Sequence, residues 1–130
     1  MTPATELADF LAQQGVGTRG SGDSAWSIFV SEEPTAPDKT ITLYDSGGFD
    51  RLTEAIRQPT IQVRVRANDY QEGYEKHEKI FQELHAIGQQ AIGAHWYVGV
   101  FLQSDIISIG RDVSRRVRLT ANYRIIRQPL

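Results

Sequence analysis

Cysteine is absent from the 130-residue sequence, which excludes disulfide bonds and thiolate metal sites. Long hydrophobic runs are also absent, since no stretch of about 18 apolar residues is available to form a membrane-spanning helix. The N-terminal residues MTPATELADF lack the basic start and the apolar segment of a secretory signal peptide. These absences favour a protein made and kept in a cytosol, and 130 residues are typical of a single domain.

Catalytic and cofactor motifs are lacking as well. His77, His85 and His95 have no i,i+4 pairing that would place two imidazoles on one metal ion, and His77, on an apolar helix stripe, is expected to be packed and hydrogen-bonded. GVGTRG (15–20) matches G-x-G-x-x-G, but it follows a predicted helix and precedes a predicted strand, the reverse of a dinucleotide-binding turn. No nucleophile is paired with a base and an orienting group. We therefore predict no catalytic, metal or cofactor site within one chain. A site shared between subunits is an alternative that one sequence does not exclude.

Charge is distributed unevenly along the chain, although the net charge is only −2. Residues 1–50 hold eight acidic residues against Arg19 and Lys39, a balance of −6, and residues 111–130 hold six arginines against Asp112, a balance of +5. Such a split suggests an anionic partner for the basic end or head-to-tail packing of identical subunits. Neutralisation of the two ends within one chain is the alternative.

Hydrophobic periodicity predicts an α+β fold, with two helices on one face of a mainly antiparallel or mixed sheet in the order α-β-β-β-α-β-β. One helix begins at Thr2 and stops near Gly15; the other begins at Asp69, where Glu72 offers a capping box, and continues to Ile87. Gly73 inside this helix indicates a close approach to its backbone. Strands are predicted at residues 25–30, 39–44, 61–67, 94–103 (apolar on both faces, hence central or covered on both sides) and 115–126. The segments 15–24 and 31–38 are predicted to be flexible loops, 45–50 a turn or loop, and 104–112 a connection.

Two of the predicted strands alternate apolar residues with arginine. Arg64 and Arg66 share one face of the first, and Arg116, Arg118 and Arg124 share one face of the last. Arginine rather than lysine occupies these positions, and a planar guanidinium forms bidentate pairs with carboxylates and tolerates burial at interfaces. We expect these faces to pack against another subunit or partner, with plain solvent exposure and a nucleic-acid surface as alternatives. The lack of aromatic residues at the outward positions Gln62, Thr120 and Asn122 disfavours RNA binding by base stacking.

The candidate interface combines the acidic first half with the basic strands. Its predicted members are Glu32, Glu33, Asp38, Asp45, Arg64, Arg66, Arg111, Arg115, Arg116, Arg118 and Arg124. A contact between two different surfaces of identical chains, repeated around a closed rotation, requires complementary patches of this kind.

Three segments in this order resemble minor capsid or tail-terminator proteins of long-tailed, siphovirus-like bacteriophages. They are PDKTITLYDSGG (37–48), IQVRVRANDYQEGYEK (61–76) and GRDVSRRVRLTANYRII (110–126). The positions that match the family pattern are Pro37, Asp38, Gln62, Arg64, Arg66, Tyr70, Tyr74, Gly110, Arg111, Asp112, Asn122 and Tyr123. The segment SRRVR (114–118) is more basic than the pattern.

This resemblance implies a structural virion protein without enzymatic activity. Tail terminators form a hexameric ring that ends tail-tube growth and joins the tube to the head-side connector or stopper. The implied partners are the chain itself, the tail tube protein and that connector, and the implied location is the virion, after assembly in the host cytoplasm. A minor capsid or neck component elsewhere at the head–tail junction and a nucleic-acid-binding module using the arginines are the alternatives, and no membrane partner is expected.

Overall fold

The structure, a computed structural model, describes residues 1–20 and 25–130. These residues form an α+β fold, as predicted, in which two helices accompany a seven-stranded mixed sheet. The elements are α1 (Pro3–Gln13), β1 (Thr18–Arg19), β2 (Ser27–Val30), β3 (Thr40–Phe49), β4 (Gln58–Ala67), α2 (Tyr70–His85), β5 (Gly88–Ile92), β6 (His95–Arg111) and β7 (Val117–Pro129). The sequence pattern predicts neither β1 nor β5, because β1 has two residues and GQQAI in β5 has no alternating apolar residues.

The sheet has the strand order β1-β2-β3-β4-β7-β6-β5. The first three strands run parallel to one another, whereas every later neighbour is antiparallel. Strand direction therefore alternates across the sheet along β3-β4-β7-β6-β5. The parallel strands β2 and β3 are connected by residues 31–39, which is short for a crossover between parallel strands.

Both helices lie on one face of the sheet, as predicted. The apolar side chains of β4 face the core as predicted, since Ile61, Val63 and Val65 are completely buried. Each such side chain stabilises the fold by about 1.5–3 kcal/mol relative to an exposed position. The same apolar cluster contains the inward residues of the helices Leu7, Leu11, Ile80 and Leu84.

The start of α2 is fixed by a side-chain cap and by a close contact with β7. The Oδ2 atom of Asp69 accepts a hydrogen bond from the backbone N–H of Glu72 at 3.2 Å, so the predicted N-cap is confirmed. A Cβ added at Gly73 would lie 2.7 Å from Cδ1 of Leu119. The predicted close approach to this glycine is therefore also confirmed, and it lets the helix pack directly on the strand.

His77 holds the middle of α2 on β7. Its side chain is fully buried, and its Nε2–H donates to the Leu119 carbonyl at 2.7 Å. The Nδ1 atom is buried and has no hydrogen-bond partner among the described residues. Burial lowers the pKa of His77 to about 4, against a smaller raising effect of the Leu119 hydrogen bond. The predicted packed histidine is thus confirmed, and its neutral form is the one that fits the core.

Stability is expected to fall as the pH is lowered from about 6.5 to about 4. The unfolded imidazole has a pKa near 6.5 and the folded one about 4, so the unfolded chain binds the proton first, which lowers the free energy of unfolding by on the order of 3 kcal/mol. Urea titrations at pH 7 and pH 4 would measure this. His77→Gln keeps an N–H donor but does not titrate, and it should flatten the dependence over this window, whereas His85→Gln at an exposed position should leave it unchanged. If the stability of His77→Gln depended on pH as strongly as that of the wild type, protonation of His77 would not be the cause of the loss.

Two predicted connections belong to strands, and these predictions are wrong. Residues 45–49 continue β3 through a bulge to the pair Phe49–Gln58. Gly48 in this bulge has a φ of 149°, and a Cβ there would clash with the Gln58 carbonyl oxygen. Gly47 and Gly48 therefore form part of a β-bulge and do not reverse the chain direction. Residues 104–111 continue β6, with register shifts against β7. The prediction that residues 94–103 are central or covered on both sides holds only for the beginning of β6, which lies between β5 and β7, because Phe101 and Leu102 are exposed.

The two segments predicted to be flexible loops differ in what the structure shows. Within the segment 15–24, Thr18 and Arg19 form β1, and residues 21–24 lie outside the described residues. Residues 31–38 are irregular and lie across the sheet face opposite the helices, where arginines bind them. Flexibility of both segments stays a prediction. The segment 31–39 is called the strap below.

Candidate functional site

The sheet face opposite the helices carries the predicted arginines. The register of β4 against β7 places Arg64 beside Thr120 and Arg66 beside Arg118, so both strands contribute arginine to one surface. This arginine face consists of Arg64, Arg66, Arg116, Arg118 and Arg124. The strap crosses the face and supplies it with carbonyl and carboxylate oxygens.

Arg66 is the most enclosed member of the arginine face, with 1% of its side chain exposed. Its Nη2 donates to the Pro37 carbonyl at 2.6 Å, and its Nε donates to the Asp38 carbonyl at 3.3 Å. Its Nη1 lies 3.6 Å from Oε1 of Glu33. Burial, followed by the charge of Arg116, lowers the pKa of Arg66. All three guanidinium nitrogens therefore face the strap of the same chain.

Arg116 ties the strap to the turn between β6 and β7. Its Nε donates to Oδ2 of Asp112 at 2.8 Å, and its Nη1 donates to the Thr35 carbonyl at 2.6 Å and to Oδ1 of Asp38 at 3.2 Å. Desolvation acts to raise the pKa of Asp112, but hydrogen bonds from the backbone and side chain of Arg116 and its positive charge outweigh it, and the pKa is lowered. The β6–β7 turn and the strap are thus joined through one arginine.

Arg118 completes the attachment of the strap. Its Nε and Nη2 lie 3.0 Å and 2.8 Å from Oε1 of Glu33, the same oxygen that faces Arg66. Glu33 leaves only 6% of its side chain exposed. These pairs join the acidic first half to the basic last strand within one chain. The neutralisation alternative therefore accounts for Glu33, Asp38, Arg66, Arg116 and Arg118.

The two remaining members of the arginine face lie over aromatic rings. The guanidinium of Arg64 is 5.2 Å from the ring centre of Tyr44, and that of Arg124 is 5.6 Å from the ring centre of Phe101. Both side chains are half-buried. A cation over an aromatic face at this distance contributes about 0.5–1 kcal/mol at exposed sites.

Four other predicted interface residues are exposed and form none of the contacts between the strap and the arginine face described above. Arg111 donates to the Arg115 carbonyl at 2.7 Å, and neither arginine forms an ion pair in the described part of the chain. Glu32 is exposed at the start of the strap. Asp45 is exposed too, but its Oδ1 accepts from the backbone N–H of Ala4 at 2.9 Å, near the N-terminus of α1. A contact of these residues with another subunit stays a prediction.

A buried carboxylate that the sequence analysis misses joins both ends of the fold. The side chain of Glu6 is completely enclosed. Its oxygens accept from the Tyr97 hydroxyl at 2.8 Å, the Ala94 N–H at 2.8 Å and Nη1 of Arg127 at 2.5 Å, and Nδ1 of His95 lies 2.9 Å away. We call these five residues the Glu6 cluster.

Hydrogen bonding decides the ionisation of the Glu6 cluster. Burial raises the pKa of Glu6, but the hydrogen bonds from His95, Tyr97 and Ala94 outweigh it, so the pKa is lowered and the carboxylate stays charged. Glu6 stands beside Leu7 on the short α1. Its position next to the apolar stripe is only a weak sign in the sequence that the carboxylate is buried, since acidic residues are also common in the first turns of helices.

The second half of β6 exposes an apolar surface. Beyond the last β5 pair at Gly99, the side chains of Phe101, Ile107 and Ile109 are 44%, 61% and 48% exposed. Val113 in the following turn is completely exposed. Charged residues at the same tip are Arg111 and Arg115. Several exposed apolar side chains close to charged residues are typical of a protein–protein contact.

Comparison with known proteins identifies the family of the chain. Within residues 1–20 and 25–130, no cluster of three His, Asp or Glu side chains is placed to hold a metal ion, and no helix is long and apolar enough to span a membrane. No curated protein matches the chain. The family model described as "Bacteriophage tail terminator protein" matches residues 10–129, which include the arginine face, the strap and the β6–β7 hairpin. The chain therefore belongs to the bacteriophage tail terminator family, whose role in the phage tail is structural and involves other tail or head proteins.

Proposed function

We propose that the chain forms a closed ring of identical subunits, six in number as the family resemblance implies, and that the ring caps the finished tail tube. One side of the ring binds the last layer of tube protein and blocks further addition. The other side binds the head-side connector or stopper. The working location is the head–tail junction of the virion, reached after synthesis and assembly in the host cytoplasm.

The observation that carries this proposal is the apolar surface of the β6–β7 hairpin. Ile107, Ile109 and Val113 remain exposed although the core of the chain is complete without them. Exposed apolar side chains of this size within a span of seven residues favour burial against another protein. Arg111 and Arg115 beside them have no carboxylate partner among the described residues, so an acidic residue of a neighbour would complete the contact.

The structure weakens the nucleic-acid alternative. A phosphate-binding surface needs arginines whose donors point to solvent. Arg66, Arg116 and Arg118 instead use theirs on the strap and on Asp112. The remaining arginines of that face, Arg64 and Arg124, are half-buried over aromatic rings.

The oligomeric state and the capping of tubes test the proposal together. The purified protein is expected to form rings visible by negative-stain electron microscopy, with a subunit number given by light scattering, at high concentration or on tubes of the cognate tube protein. Rings should sit at one tube end and stop elongation there. A chain that stays monomeric at every concentration and leaves tube growth unchanged would refute the proposal.

A charged substitution in the apolar surface supplies the matched comparison. Ile107→Asp is expected to abolish ring formation, because a carboxylate buried in an apolar contact loses its hydration. Leu130→Asp, at another exposed apolar residue, should leave the ring intact. Equal ring formation by both variants would show that the β6–β7 hairpin lies outside the contact.

A further inference from the structure

Besides the outer edges of β1 and β5 and the end of β2, the sheet has two half-edges that no described strand covers. On one side, β5 pairs with β6 only from His95 to Gly99, so the outer edge of β6 is free from residue 100 to Arg111. On the other side, β2 pairs with β3 only from Thr40 to Leu43, so the outer edge of β3 is free from residue 44 to Phe49. Free strand edges expose unpaired N–H and C=O groups and readily bind another strand.

We infer that neighbouring subunits join by strand pairing, in which the free half of β3 (residues 44–49) in one copy lies beside the end of β6 (residues 106–111) in the next. This inference rests on the proposed ring and names the contact that builds it. The occupant of each free half-edge is the other free half-edge of a second copy.

Strand direction supports this pairing. Because β3, β4, β7 and β6 alternate in direction, β3 and β6 run antiparallel within one subunit. Rotation about a ring axis preserves direction along that axis. A neighbour's β3 placed beside β6 is therefore antiparallel to it and continues the alternation across the subunit boundary.

The positions of the covering strands also fit. β2 pairs with the beginning of β3, and β5 pairs with the beginning of β6. Because β3 and β6 run in opposite directions, their two free halves lie at opposite ends of the sheet. Pairing them shifts the neighbour along the strands, which places β5 of one copy beyond the end of the next copy's β3. A shift of this kind closes into a ring when strands are tilted to the ring axis, as in closed barrels.

Side chains near the two half-edges are complementary. Phe49 is 52% exposed on β3, and Ile107 and Ile109 are exposed on β6, so the pairing removes apolar surface from both copies. The shift brings the β6–β7 tip, with Arg111 and Arg115, toward the end of the neighbour's β2. Glu32, exposed just after that strand, provides a negative charge there.

Engineered disulfides can test the pairing directly, because the natural chain contains no cysteine. The full-length double variant Ser46→Cys/Ser108→Cys, and its one-residue register alternative Ser46→Cys/Ile109→Cys, place thiols on the two half-edges. Directly opposed residues of a strand pair bring Cα atoms within the distance that a disulfide spans. Under mild oxidation at least one variant is expected to form a ladder of covalent oligomers up to the ring size. The control Ser46→Cys/Gln89→Cys has one thiol on β3 and the other at the exposed start of β5. It should not form this ladder.

The outcomes separate this inference from the ring itself. A cross-linked ladder in either test variant, with none in the control, supports the pairing. Rings that form by light scattering without a ladder in either test variant overturn the pairing and leave the proposed function standing. A cross-link to cognate tube protein rather than to a second copy also overturns it. A monomer that neither cross-links nor caps tubes overturns both.

Discussion

Glu6→Gln is expected to lower the free energy of unfolding by about 3–5 kcal/mol, because it leaves buried donors facing an amide in place of a carboxylate. The carboxylate oxygens accept from Tyr97, Ala94 and Arg127 in a fully enclosed site. An amide keeps one acceptor oxygen and turns an N–H₂ group toward donors. For a chain of this length the loss corresponds to a fall of roughly 10–20 °C in Tm, measurable by differential scanning calorimetry.

The pH dependence of Glu6→Gln gives a second readout. Because the folded pKa of Glu6 is lowered, its stabilising contribution is complete above the unfolded value near 4.5 and is lost as the pH falls through the folded pKa. The gap between wild type and Glu6→Gln should therefore narrow on acidification below about pH 4.5. Glu78→Gln on the exposed side of α2 is the control and should change Tm by less than about 2 °C. A similarly small shift for Glu6→Gln would mean that the Glu6 cluster contributes little to stability.

Arg66→Met is the second substitution with a large expected effect, a destabilisation of about 3 kcal/mol. Methionine fills part of the space of the arginine stem, so the change removes mainly the guanidinium. The carbonyls of Pro37 and Asp38 lose the Arg66 donors, and Glu33 loses its pair with Arg66 while keeping the one with Arg118. Chemical denaturation monitored by tryptophan fluorescence would measure the loss.

Two variants place limits on this interpretation. Arg66→Lys should recover only part of the stability, because one ammonium group cannot reproduce the planar arrangement of donors toward two carbonyls and a carboxylate. Arg64→Met, on the same strand face but half-buried over Tyr44, should cost less than about 1 kcal/mol. If Arg64→Met and Arg66→Met destabilised equally, burial of the Arg66 guanidinium would not be the cause.

Elements with strong local signals were predictable from the sequence. The cap at Asp69, the helical stripe of α2 and the alternation in β4 all depend on residues close together in the chain. The phase of this alternation also located the arginine face. Gly73 and His77 could be interpreted correctly because each departs from an otherwise regular apolar helix face.

The remaining features depend on residues far apart in the chain. The glycines at 47–48 indicate a turn locally, and only pairing with β4 turns the segment into a bulged strand. Glu33 and Glu6 look like ordinary surface acids until β7 supplies Arg118 and Arg127. The sequence therefore predicts contacts between subunits for Arg66, Arg116 and Arg118, whereas their hydrogen-bond partners in the structure come from the same chain.

The strap has a consequence for the order of folding. Its contacts with Arg116 and Arg118 join residues 78 to 85 positions apart, and they require β7 to be in place beside β4. The loop-closure entropy of such distant contacts must be overcome before they can form. We therefore expect the strap to dock after the folding transition state, so that weakening it accelerates unfolding and hardly slows refolding.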